Sequence, residues 1–144
     1  MTDWRRTRRG EDLRRCDNDP AAAFGAAERT PDPEERSAFQ TFAIFGAGPT
    51  DVELVGGIAE LMQNVAPREF SSIDTWASRV MLIEAGPRVL ASFPEKLSYY
   101  AKTALERLSV EVMIGALVTH MDADGLTVGG EPISTHTKIC AAPV

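Results

Sequence analysis

A run of apolar residues, Phe42, Ala43, Ile44 and Phe45, stops abruptly at Gly46, Ala47, Gly48 and Pro49, and an amphipathic repeat begins a few residues later. An apolar run this short and without alternation reads as a strand buried on both faces. The glycines end it in a tight turn. Leu54, Val55, Ile58, Leu61 and Met62 then recur at helical spacing, on one face of a helix starting near Asp51. Strand, glycine turn and helix in that order restrict the chain to folds in which a parallel strand feeds a crossover helix.

The remainder extends this pattern. A looser segment over residues 66–78 leads to Val80, Met81, Leu82 and Ile83, a second buried strand closed by Glu84 and broken by Gly86 and Pro87. Ser92 with Glu95 three residues on has the form of a capping box around Pro94, opening a helix whose apolar face is Leu97, Ala101, Ala104, Leu105 and Leu108. A third strand is expected over residues 110–114. Residues 117–121 and 126–128, around a turn at Asp122, Ala123, Asp124 and Gly125, read as an antiparallel hairpin, with Gly129 and Gly130 as another turn and a final strand over residues 137–142. The fold class is therefore α/β, a Rossmann-type, mainly parallel sheet with an antiparallel hairpin flap in the crossover.

Residues 1–40 differ in character. They are rich in Arg, Asp, Glu, Ala and Pro and read as a poorly ordered or helical lead-in, with a short helix over 21–29, a break at Thr30, Pro31, Asp32 and Pro33, and a further turn over 34–39. Residues 41–144 form the one domain that 144 residues with 44% hydrophobic and 25% charged content can supply. Fifteen Lys and Arg against twenty-one Asp and Glu give a net charge of -6, which argues against nucleic acid as the partner. The local cluster of Arg5, Arg6, Arg8, Arg9, Arg14 and Arg15 reads as a solvated tail. Cys16 and Cys140 lie at opposite ends with no CxxC spacing, so neither a disulfide framework nor a zinc site is indicated, and a reducing cytoplasm is expected. Cys140 is expected as a small buried hydrophobe. No transmembrane stretch and no secretory leader are evident. His120 and His136 read as surface or strand-edge residues rather than metal ligands, and Tyr99 and Tyr100 as helix packing rather than a stacking platform.

The chemistry concentrates at the glycine turn. Gly46 permits the sharp turn, Gly48 lets the backbone approach a pyrophosphate, and the helix N-terminus beyond offers N–H groups and partial positive charge to phosphates. Glu84, at the end of the next strand, is placed to accept hydrogen bonds from the adenosine ribose hydroxyls and to disfavour the extra phosphate of NADP, so NAD(H) is the expected ligand. On its own Glu84 reads equally as a solvated strand-end acid. The interval from Gly46 to Glu84 exceeds the usual spacing of about 20 residues, and the segment over 66–78 accounts for the excess. Asp51 stands where the dinucleotide fingerprint has its third glycine. A carboxylate about 5 Å from a phosphate at an effective dielectric of about 20 costs roughly 3 kcal/mol, so reduced NADH affinity is expected unless Asp51 caps the helix and points away.

Phe45 to Thr50 as Phe-Gly-Ala-Gly-Pro-Thr, then Val52, Glu53 and Leu54, Gly56, residues 58–61, residues 83–90 as Ile-Glu-Ala-Gly-Pro-Arg-Val-Leu, and Phe93 with Pro94 together resemble the NADH-binding domain of type II NADH dehydrogenases. These are single-subunit FAD flavoproteins of the pyridine nucleotide-disulfide oxidoreductase superfamily that pass electrons from NADH through flavin to a quinone. The resemblance runs from about Phe24 to the end. It implies that Gly46, Ala47, Gly48, Glu84 and Ala85 bind NADH, that Pro49 and Thr50 shape the loop, and that Glu53 is the catalytic-site residue facing nicotinamide and flavin. Read without the family, Glu53 is equally an ordinary acid in a first helical turn. The family's FAD-binding domain and membrane-anchoring segment have no counterpart in these residues, so the resemblance implies a truncated or split member, with FAD supplied by a partner chain and peripheral membrane attachment belonging to the full-length family. Pro143 stands where the family has a glycine as the chain returns toward the flavin. Two further readings stay open: a fragment of an S-adenosylmethionine-dependent methyltransferase, which also pairs a glycine loop with a strand-end acid, and a non-catalytic relic acting in subunit association.

Overall fold

The computed structural model describes residues 20–140. The expectations for the Arg-rich start, Cys16, Pro143 and the Cys140 side chain lie outside the described residues. Two short helices, α1 (Pro20–Glu28) and α2 (Pro33–Phe39), lead into strand β1 (Thr41–Phe45), and the long helix α3 (Pro49–Asn64) follows the glycine turn. Asp32 caps α2 by accepting the Glu34 amide at 3.2 Å, with Pro33 opening the helix. The looser segment is a single helical turn, α4 (Ala66–Glu69), and a turn of 3-10 helix at Thr75–Ala77. Then come β2 (Arg79–Glu84), α5 (Glu95–Arg107), β3 (Val110–Ile114), β4 (Val118–Met121), β5 (Gly125–Val128), β6 (Glu131–Ser134) and β7 (Thr137–Cys140).

The strands form two sheets. Strands β3, β2, β1 and β7 make a parallel sheet in that order, and β4, β5 and β6 make an antiparallel one. Sequence reading anticipates a hairpin here, and the structure adds β6 as a third strand pairing antiparallel with β5. Residues 131–134 read Glu, Pro, Ile and Ser and carry no strand alternation, so only pairing with β5 makes them extended.

Alternation along the parallel strands divides the core. Phe42, Ile44, Val80 and Leu82 pack with Val55, Ile58 and Met62 of α3 and Leu105 of α5 on one face. Ala43, Phe45, Met81 and Ile83 pack with Val118, Leu126 and Val128 of the antiparallel flap on the other. The molecule is a helical layer, a parallel sheet and an antiparallel flap, and every residue of β1 is buried. Helix α1 joins the first of these clusters: Phe24 is 1% exposed, with its ring 5.4 Å from Phe42 and 5.2 Å from Phe70.

Helix α5 departs from expectation. Pro94 occupies its N-cap position and makes no side-chain cap, so Ser92 and Glu95 form no capping box. The helix turns Ser98 and Leu105 inward, leaving Leu97 at 47% exposure. Tyr99 and Tyr100, at 72% and 65% exposure, face solvent rather than pack. The buried Ser98 is satisfied there: its hydroxyl donates to the Leu90 carbonyl at 3.3 Å and receives the Arg88 guanidinium at 3.4 Å.

His136 also differs from a simple edge histidine. Its Nε2 bonds the Glu35 carboxylate of α2, its Nδ1 lies 3.2 Å from the Ala123 carbonyl, and its ring stands 4.5 Å from that of Phe39. It thereby ties α2 to the turn between β4 and β5. Lys138, 1% exposed on β7, reaches beneath the same turn, donating from Nζ to the Thr135 carbonyl at 3.0 Å and toward the Ala123 carbonyl at 3.4 Å. Among the described residues no helix is long and apolar enough to cross a membrane.

The turn itself is held by Asp122, whose Oδ1 accepts the Asp124 and Gly125 amides, each at 2.9 Å, while its Oδ2 meets His120 Nε2 at 2.9 Å. The His120 hydrogen bond, then the Asp124 amide, hold the Asp122 carboxyl below the usual carboxylate range. A carboxylate whose pKa is depressed on folding stabilises the fold above its unfolded pKa, and that contribution disappears as pH falls through the folded value. Replacing Asp122→Asn is therefore expected to flatten the acid loss of stability slightly below about pH 4, with the effect kept small by solvent exposure. Urea denaturation across that range reads it, and superimposable acid profiles would contradict the assignment. For the core, Phe24→Ala is expected to cost about 3–5 kcal/mol. An unchanged urea midpoint would show that α1 contributes nothing to the fold.

Candidate functional site

In open parallel sheets, ligands bind beyond the carboxyl ends of the strands, at the point where the strand order reverses. Here the chain moves from β1 outward to β2 and β3, then returns to place β7 on the other side of β1. The reversal lies at β1, and the segment leaving the end of β1 is the glycine turn.

Gly46 adopts φ of 103°, a region that side chains disfavour, and this bends the chain away from the sheet. Its amide still bonds the Ile83 carbonyl at 2.9 Å, so the turn begins while anchored to β2. Gly48 is the N-cap of α3, Pro49 fills the first helical position, and the Val52 amide closes the first helical bond to the Gly48 carbonyl at 3.0 Å. Pro49 and Thr50 are exposed and Ala47 is buried.

Asp51 combines the two roles that sequence reading sets against each other. It caps the helix, its Oδ2 accepting the Gly48 amide at 3.1 Å, which is the returning half of a capping box. It does not point away. A methyl group on Gly46 would meet that same Oδ2 at 2.7 Å, and one on Gly48 would meet it at 3.4 Å. The carboxylate thus lies folded back between the two glycines, with the residue 9% exposed.

Glu84 closes β2 half-buried, and its Oε1 accepts the Gly86 amide at 2.9 Å, which orients the carboxyl across the end of the strand. Three backbone bonds hold this edge together. Leu90, in a left-handed conformation at φ of 52°, donates to the Ala47 carbonyl at 2.8 Å, while Ala116 donates to Glu84 and Gly115 to Gly86, both at 3.0 Å. The structure therefore brings Gly46, Ala47, Gly48, Asp51, Glu84 and Ala85 to the carboxyl edge of the parallel sheet. Glu53 sits two residues beyond Asp51 on α3, exposed. Beyond the Glu84 loop an open cavity of about 320 Å³ is lined by Pro87, Arg88, Val89, Tyr99 and Ile114 among others. Sequence reasoning misses Leu90, Gly115 and Ala116, whose part is played by main-chain atoms and leaves no residue-type signal.

Comparison with known proteins identifies the family and the fold. Residues 9–140 match the family described as pyridine nucleotide-disulphide oxidoreductase. Two curated relatives come from Mycobacterium tuberculosis. The type II NADH:quinone oxidoreductase Ndh is 45% identical over 107 residues, covering 74% of this chain and 23% of the relative. The type II NADH:quinone oxidoreductase NdhA is 41% identical over 127 residues, covering 85% and 27%. The chain thus spans about a quarter of the length of these relatives. Among solved structures, NDH2 from Plasmodium falciparum in complex with NADH superposes with a TM-score of 0.74 at 20% identity, covering 84% of this chain and 27% of that one, which supports the Rossmann-type fold. The chain belongs to the pyridine nucleotide-disulphide oxidoreductase family, and within it is a relative of the type II NADH:quinone oxidoreductases.

Proposed function

We propose that residues 41–144 are the NAD(H)-binding domain of an FAD-dependent NADH dehydrogenase-like flavoprotein. The observation that carries this reading is the convergence, where the strand order reverses, of a positive-φ glycine turn, the N-terminus of a long helix and a strand-end carboxylate. Gly46, Ala47 and Gly48 present backbone to the pyrophosphate, with Pro49 and Thr50 shaping the loop. Glu84 accepts from the ribose hydroxyls, and Ala85, with no bulk beyond Cβ, leaves the sugar room beside it. Exposed on α3, Glu53 is assigned to the nicotinamide end of the crevice. Nicotinamide supplies a hydride to flavin, and quinone reoxidises the flavin in the family. The work of this chain is to hold the dinucleotide in one orientation against the flavin. FAD is then contributed by polypeptide outside the described residues or by another chain, and quinone reduction takes place at a membrane surface.

The sugar-binding role of Glu84 sets the test. Calorimetric titration is expected to show NADH binding more tightly than NADPH. Glu84→Ala is expected to weaken NADH about tenfold, equivalent to about 1.4 kcal/mol, and to narrow the preference over NADPH. Glu84→Gln, which keeps an acceptor for the Gly86 amide, separates the charge from the turn. Equal NADH affinity in the parent and both variants would refute the role given to this carboxylate, and an absence of NADH binding by the parent and by an Asp51→Gly variant alike would refute the reading as a whole.

A further inference from the structure

The glycine turn already holds an anion of its own. The Asp51 carboxylate lies between Gly46 and Gly48, with Oδ2 close enough to Gly46 that a single methyl group there would collide with it at 2.7 Å. It takes the Gly48 amide at 3.1 Å. Pro49 carries no N–H. Pro49 therefore offers a ligand no donor, and Gly48 offers one only if the Asp51 side chain moves. A glycine at position 51, as the dinucleotide fingerprint has it, would leave this space open.

We propose that Asp51 is a built-in occupant of the pyrophosphate cradle and sets the dinucleotide affinity of this chain. The inference rests on the NAD(H)-binding reading above and adds to it a residue that opposes the ligand. Two effects act in the same direction. The pyrophosphate must displace the carboxylate from the Gly48 amide, which forfeits the helix cap. Its own negative charge must also settle beside a like charge. Neither effect touches the sugar end of the crevice, where Glu84 is held by a separate bond to Gly86. The penalty falls on ligands that carry a pyrophosphate and spares a nucleoside that has none.

This separation defines the experiment. The full chain and its Asp51→Gly and Asp51→Asn variants are titrated with NADH by calorimetry and with adenosine by NMR line shifts, with thermal melting as a check on folding. Asp51→Gly is expected to bind NADH about ten- to a hundredfold more tightly than the parent while its adenosine affinity stays within twofold. Asp51→Asn retains an acceptor for the Gly48 amide, and so keeps the cap should the glycine variant fold poorly; it is expected to gain at least threefold for NADH. Unchanged NADH affinity in both variants, with adenosine bound throughout, overturns the proposal and leaves the dinucleotide reading standing. Failure of the parent and both variants to bind adenosine or NADH overturns that reading, and this inference with it.

Discussion

Strand β1 has no face turned to water, so its residues are accommodated only when a helical layer closes one side, the flap closes the other, and β2 and β7 take up its backbone groups. Phe42 and Ile44 require α1, α3 and the far side of β2, whereas Ala43 and Phe45 require Val118, Leu126 and Val128. Removing either layer would expose a continuous apolar surface. Because β1 is central, the chain leaving it emerges in the middle of the carboxyl edge of the sheet. The placing of the glycine turn at mid-edge of the sheet is thus a consequence of core packing.

The same edge shows how a local choice can oppose the use of a site. A first-turn aspartate is favourable for α3, since it meets the positive end of the helix and satisfies the Gly48 amide. An amide that is taken from within is not on offer to a phosphate. Stability of the helix and affinity for a dinucleotide draw on the same Gly48 N–H, and in this chain the helix holds it. The rest of the edge is unaffected: the bonds from Leu90 to Ala47, from Ala116 to Glu84 and from Gly115 to Gly86 depend on main-chain atoms alone.

The strands and helices of the parallel layer were legible because each carries its own periodicity. The uninterrupted run at residues 42–45 and the i, i+4 spacing of α3 survive any reasonable packing arrangement. Features that need a distant partner were not. β6 lacks alternation and is extended because β5 lies alongside. His136 carries no carboxylate neighbour in sequence, yet Glu35, far earlier in the chain, meets it. The apparent capping box at Ser92 and Glu95 failed because Pro94 takes the cap position itself. Tyr99 and Tyr100 look like packing residues in a linear pattern, but α5 buries Ser98 and Leu105 and leaves both tyrosines in solvent.

At the candidate site the division is sharper. The amino-acid sequence by itself determined which residue types meet there, because a glycine turn between a buried strand and a helix is a local motif and Glu84 is marked by the end of the next apolar run. Whether Asp51 points into the turn or out of it was decided only in three dimensions. Its direction shows in the bond from the Gly48 amide to its Oδ2 and in the space it fills beside Gly46, both of which exist only once the turn and α3 have folded onto the sheet. Periodicity can name the buried face of a helix, but the position of a side chain in the first turn follows from how that face meets its neighbours.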